Sequence, residues 1–274
     1  MLRLLALLLS MSSTPLVALE GNQSARLVTV RSHEMFLNCT GDASGPAVIL
    51  EAGTGDTSEV WNAVQKQIDK FARVCSYDRL GLGKSDMLAS PHTADEIVSD
   101  LHQLLDAASI SPPYVMVGHS IGGIYVRKYA ELYPKEVVAI VLLDSAHEEQ
   151  FSRVSALSPE WAHRIASKFP PDDQRANGFL LPNQGLVWHF DKPLIVIEHG
   201  EIPSSAASDP MAKQSEAVFH VLQRDLATRS KYGQLREAKK SGHYIQRDQP
   251  ELVIEAIRDA IRQSSSLGLA KPSH

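Results

Sequence analysis

The sequence predicts an α/β protein, a mostly parallel sheet with helices on both faces. Three observations predict it. Short apolar runs alternate with stretches of helical spacing along most of the chain. Gly118-His119-Ser120-Ile121-Gly122 stands between a fully apolar run and a helix. A length of 274 residues, 43% hydrophobic and 22% charged, suffices for one large core.

In chain order, 27–31 and 34–38 read as a leading antiparallel pair of strands. The compact apolar strand 47–51 ends in Ala52-Gly53-Thr54-Gly55. Over 60–71, Trp61, Val64 and Ile68 recur at helical spacing. The next strand, 73–77, runs into Asp78-Arg79-Leu80-Gly81-Leu82-Gly83-Lys84-Ser85. Thr93 opens a helix with Ile97, Leu101, Leu104 and Leu105 on one face, closing near Ser111-Pro112-Pro113. Strand 114–117 and helix 125–131 flank the glycine-serine motif, and Pro134 stops the helix. Strand 137–143 ends at Asp144, 193–197 gives another strand, 234–238 a short last one, and 251–262 a closing helix.

The stretch from about 146 to 190 breaks this alternation. It is rich in Ser, Pro, Asp, Asn and Gln, with Trp161, Phe169, Phe179, Trp188 and Phe190 interspersed. A connection this long is functional or separately folded. It reads as a small cap whose aromatics line a pocket, or alternatively pack cap on core. The organisation expected is a leader over 1–20, a core over 21–145 and 191–264, a cap over 146–190, and a disordered tail over 265–274.

A Gly-x-Ser-x-Gly between strand and helix reads as a nucleophile elbow. The turn is so tight that Ser120 must adopt a strained backbone, and a Cβ at position 118 or 122 would strike its neighbours. The hydroxyl then projects above a helix N-terminus, where developing negative charge is favoured. Such a hydroxyl needs a base. His243 in Ser241-Gly242-His243-Tyr244, just before the closing helix, stands where the base is expected. His119 reads as packing beside the elbow. Nothing in the sequence requires His147, His189 or His199 to approach the site.

The third group is a carboxylate that orients the imidazole. Asp144, at the tip of the strand after the elbow, is favoured. Glu198, Glu201, Asp209 and Asp225 stand as alternatives, because 198–203 lacks the aspartate common after the following strand. Two backbone N–H groups should hold an oxyanion, those of Ile121 and Thr54. Asp78-Arg79 reads as a pair that ties its loop by charge-assisted hydrogen bonds. The glycines at 53 and 55 complete no phosphate-binding motif, and no Cys/His cluster or His-Glu-x-x-His gives a metal site.

A net charge of −5 without any basic run argues against nucleic acid as partner. Arg3 followed by the apolar run 4–9, then Ser12, Ser13, Thr14 and Pro15, matches a secretory signal with an exit near Ala18 or Gly21. The run is too short to span a bilayer. Export to the periplasm or medium is the expectation, and a leader on a cytoplasmic protein the alternative. Export would permit a disulfide between Cys39 and Cys75, the alternative being two buried thiols.

Taken together, the 118–123 motif, the 77–85 loop and Ser241-Gly242-His243 resemble the α/β-hydrolase superfamily, over about 28–261. The resemblance implies an eight-stranded sheet with its second strand antiparallel, neighbouring strands for Cys39 and Cys75, and a Ser-His-acid triad without a cofactor. Ala52-Gly53 replaces the family's His-Gly before the oxyanion turn. A serine at the elbow disfavours dehalogenases and epoxide hydrolases. The expected activity is cleavage of a small or medium carboxylic ester. Acyltransferase, thioesterase, lactonase and carbon–carbon hydrolase chemistry are alternatives on the same residues, and a ligand receptor on a hydrolase scaffold is the non-enzymatic one. The sequence does not decide the oligomeric state.

Overall fold

The computed structural model describes residues 25–41, 44–90, 92–167, 188–200 and 208–270. The expected leader at 1–20, Phe169, Phe179, Glu201 and the last four residues of the tail lie outside these.

Eight strands form one sheet in the order β1-β2-β4-β3-β5-β6-β7-β8. They are β1 (Ala25–Val30), β2 (His33–Thr40), β3 (Ala47–Glu51), β4 (Val74–Tyr77), β5 (Tyr114–His119), β6 (Val137–Leu143), β7 (Leu194–His199) and β8 (Gly233–Ala238). β2 is antiparallel to β1 and β4, and all other pairs are parallel. The eight-stranded sheet with its antiparallel second strand is therefore as expected. Cys39 and Cys75 face each other across β2 and β4, and a disulfide joins them.

The central strands are apolar throughout because both faces are covered. Ile49, Tyr114, Met116, Ile140 and Leu142 enter one core with Leu101, Leu104, Tyr125 and Tyr129. Those last four residues come from α2 (Ala94–Ala107) and α3 (Gly122–Leu132). The alternate residues Val48, Leu50, Val115, Val117 and Val141 enter a second core with Trp61, Val64, Ile68, Val253 and Ile257. There the helical partners are a 3-10 turn (Ser58–Trp61), α1 (Asn62–Ile68) and the closing helix. Thr93 caps α2 in a capping box with Glu96, the feature that fixes this helix start.

Several features go beyond the sequence expectations or depart from them. In the cap stretch, α4 (Gln150–Leu157) and α5 (Pro159–Ala166) form. Trp188 and Phe190 stack with centroids 5.2 Å apart and are buried in the first core, so for these two the alternative reading, packing on the core, holds. Between β7 and β8, where no element is read from the sequence, lies the 19-residue α6 (Pro210–Thr228). Its signals are local: Asp209 accepts from the N–H groups of Met211 and Ala212, and proline stands in the first turn. After a short α7 (Ile245–Asp248), the closing helix α8 (Pro250–Ser266) outlasts its expected end. Leu269 packs against the second core, so 265–270 are ordered where a disordered tail was expected.

Candidate active site

Ser120 sits between β5 and α3 with φ of 53°, in the left-handed region that costs a side-chain-bearing residue strain. The glycines around it are required by close approach. A Cβ on Gly122 would lie 2.6 Å from the carbonyl oxygens of Glu51 and Ala52, and one on Gly118 2.6 Å from the Gly122 oxygen. The first turn of α3, which begins beside Ile121, is thereby pressed against the turn leading to Thr54. The backbone of Ser120 is also tied to the tip of β6. Its N–H donates to Leu143 O at 3.0 Å, and its carbonyl accepts from Ala146 N at 2.8 Å. Asp144 lies between those two anchors, itself at φ of 44°.

His243 donates from Nδ1 to Asp144 Oδ2 at 2.7 Å. Its imidazole is 47% exposed, so the ring is half open rather than enclosed. His119 is buried and its Nε2–H donates to the backbone carbonyl of His243 at 2.9 Å. Burial, then the neighbouring His243, holds the His119 ring down at about 3, so it stays neutral and serves to fix the loop that carries His243.

Asp144 has a second imidazole. His199 N–H and Nδ1 donate to Asp144 Oδ1 at 3.0 and 2.7 Å. Burial alone would raise this carboxyl, but hydrogen bonds from His199 and His243 outweigh it and hold it at about 2. The far nitrogen of His199 reaches Glu216 Oε2 at 2.9 Å. Burial works against its charge, yet the bonds to Asp144 and then Glu216 push its pKa up to about 10. A cation therefore stands behind the carboxylate that His243 faces. Sequence reasoning missed this role, since His199, Asp144 and Glu216 are far apart in the chain and meet only through the β6–β7 pairing and α6.

Arg79 organises the other side. It donates to Glu51 Oε1 at 2.5 Å, Ala52 O at 2.8 Å and Gly53 O at 2.6 Å. Tyr77 also donates to Glu51. Asp78 accepts from Ser58 N at 2.7 Å and Lys84 N at 2.9 Å. The Asp78-Arg79 pair thus ties loops, as expected, and its arginine holds the two carbonyls just before Thr54. Asp56, which the sequence does not single out, lies 3.8 Å from His119 Nδ1, and burial raises its carboxyl.

A family model described as alpha/beta hydrolase fold matches residues 46–177. The chain is also 32% identical over 221 residues to YqjL, an uncharacterized protein of Bacillus subtilis (strain 168), spanning 79% of this chain and 84% of that one. The chain belongs to the α/β-hydrolase superfamily. Solved structures agree in fold. Est816, described as an N-acyl homoserine lactone degrading enzyme, is similar with a TM-score of 0.64 at 17% identity, covering 85% of this chain and 99% of its own. A thermophilic esterase from Thermogutta terrifontis has a TM-score of 0.63 at 19% identity, covering 88% of this chain and 98% of its own.

In this α/β hydrolase the other described candidate carboxylates are committed elsewhere. Glu198 pairs with His220 Nδ1 at 2.7 Å, Asp209 caps α6, and Asp225 pairs with His147 Nε2 at 3.0 Å and Arg229. Chemically, the arrangement around Ser120 offers a hydroxyl at a helix start, an imidazole held in one tautomer, and a carboxylate held from two sides.

Proposed function

We propose that the protein is a serine hydrolase that cleaves a small or medium carboxylic ester through an acyl-enzyme. Ser120 is the nucleophile, His243 the general base and acid, and Asp144 the group that fixes the imidazole. The observation that carries this reading is the contact of His243 Nδ1 with Asp144 Oδ2 at 2.7 Å, beside a serine held at φ of 53°. Nδ1–H donated to Asp144 leaves Nε2 as the basic nitrogen. It takes the Ser120 proton as the oxygen attacks the carbonyl carbon. The N–H groups of Ile121 and Thr54 stabilise the oxyanion. The tetrahedral intermediate collapses as His243 protonates the leaving alcohol. Water, deprotonated by the same nitrogen, attacks the acyl carbon, and the acid leaves as Ser120 regains its proton.

We further propose that the leader directs the chain out of the cytoplasm, a reading that the Cys39–Cys75 disulfide supports. The test of function is hydrolysis of p-nitrophenyl acyl esters from two to twelve carbons by the purified protein and by Ser120→Ala. Serine-dependent turnover with a chain-length optimum is the expected result. Equal turnover by both proteins, or none by either across the series, overturns the ester reading.

A further inference from the structure

Outside the residues assigned to ester cleavage, a second group of side chains converges between the tip of β7 and α6. Glu216 and His220 are four residues apart and therefore on one face of α6. Both contact the last two residues of β7. His199 Nε2 lies 2.9 Å from Glu216 Oε2, and His220 Nδ1 lies 2.7 Å from Glu198 Oε2. The two imidazole centroids are 5.3 Å apart. One donor atom from each of His199, Glu216 and His220 lies within 4.8 Å of the other two.

Each imidazole has a carboxylate on Nδ1: Asp144 on His199 at 2.7 Å and Glu198 on His220 at 2.7 Å. In metal sites the same arrangement fixes the tautomer, raises ligand basicity and leaves Nε2 for the ion. Three carboxylates surround the two imidazoles, and a metal ion at His199 Nε2 would take the place of the proton that this nitrogen shares with Glu216. The donor set is two nitrogens and one oxygen, which suits zinc and its neighbours rather than magnesium or calcium.

We propose that His199, Glu216 and His220 form a three-ligand site for a divalent transition metal of the zinc type, with Asp144 and Glu198 orienting its two histidines. A tetrahedral ion with bonds of about 2.0–2.1 Å needs donors roughly 3.3 Å apart. The closest pair, at 2.9 Å, needs to open only slightly. Glu216 and His220, each 25% exposed, have room to swing the remainder, while His199 at 8% is held in place. The ligands are 17 and 4 residues apart in sequence, with no motif to announce them. Binding does not depend on the role given to Ser120.

The test uses the untagged full chain after chelator treatment. Co²⁺ is titrated with the visible spectrum recorded, and Zn²⁺ affinity is measured by competition with a chromophoric chelator. The expected result is one equivalent of metal with the visible bands of a four-coordinate site. Glu216→Gln and His220→Ala should each weaken Zn²⁺ binding about 100-fold, and Glu198→Gln about 10-fold. Ser120→Ala should bind as the parent does. Circular dichroism reports whether each variant is folded, and His220→Asn replaces His220→Ala if that variant is not. Absence of saturable one-to-one binding by the parent overturns the site. So does binding unchanged in folded Glu216→Gln and a folded His220 variant. Because the readout is binding, its failure is distinct from failure of the hydrolase reading.

Discussion

His199 grips the oxygen of Asp144 that His243 does not use: Oδ1 takes two hydrogen bonds from His199, and Oδ2 takes the one from His243. The carboxylate is thereby fixed on both sides, and its charge is shared between two imidazoles. This geometry separates the residues proposed to react from the one that positions them.

Removal of a residue proposed to react should be severe. Ser120→Ala or His243→Ala is expected to lower kcat by about 10³-fold or more on the best p-nitrophenyl ester, as loss of triad members does. Asp144→Asn should be far more damaging than Glu198→Gln, since Glu198 faces His220. Steady-state kinetics of the four variants decides it, and the reverse ranking of the last two would move the acid to β7.

His199→Gln should behave differently. The His199 cation helps to hold the Asp144 carboxyl down at about 2. Without its ring, Asp144 loses one of the hydrogen bonds that keep it charged and in place, so the pH dependence of kcat/KM changes. We expect kcat about tenfold lower with KM little changed. A pH-rate profile superimposable on the parent's would remove His199 from any role at Asp144.

The elements that position Ser120 were legible because they carry local signals. The apolar run of β5, the paired glycines and the arrest before Pro134 lie within 21 residues, 114–134. Asp144 was legible as the polar residue ending an apolar strand. α6 was not, because of its 19 residues only Ala212, Leu222, Gln223 and Leu226 are buried, too few for a clear apolar stripe. α4 likewise buries only Val154. The contacts of His199 with Glu216 and of Arg79 with Ala52 and Gly53 join distant segments, and no spacing rule records them.

Stability should peak near pH 6.5 on account of two histidines displaced in opposite directions. His119 has an ordinary value of 6.5 unfolded and about 3 folded, so the unfolded chain binds the proton first as pH falls between them, and stability drops. His199 is raised from 6.5 to about 10. Its contribution is complete below 6.5 and is lost as pH rises through 10. Tm measured from pH 4 to 10 on chelator-treated protein checks this. His199→Gln should flatten the alkaline side, and a parent Tm constant from pH 7 to 10 would contradict the assignment.

The Cys39–Cys75 disulfide closes a separation of 36 residues between two paired strands. Cross-links of this kind contribute about 2–4 kcal/mol. Cys39→Ser with Cys75→Ser should therefore lower Tm by roughly 4–16 °C for a chain of this size. A reductant should lower the parent's Tm to that of the double variant and leave the variant unchanged. Equal Tm values for oxidised parent and variant would show that the cross-link contributes nothing.

Arg79 connects stability to the turn proposed to hold the oxyanion. Its guanidinium pairs with the buried Glu51 and lowers a carboxyl that burial still holds above its ordinary value. It also fixes the carbonyls of Ala52 and Gly53. Arg79→Ala leaves a buried carboxylate without its partner, a loss of about 3–5 kcal/mol. Arg79→Lys keeps a positive charge but lacks the planar fork that reaches Glu51, Ala52 and Gly53 at once. In Arg79→Lys the turn bearing Thr54 loses its orientation while Ser120, His243 and Asp144 stay in place. The expected signature is kcat lowered by about 10- to 100-fold, since an oxyanion donor acts in the transition state. The rate of Ser120 labelling by a fluorophosphonate should fall in parallel, because phosphonylation develops charge on the same oxygen. Labelling and kcat both equal to the parent's would show that Arg79 supports the core alone.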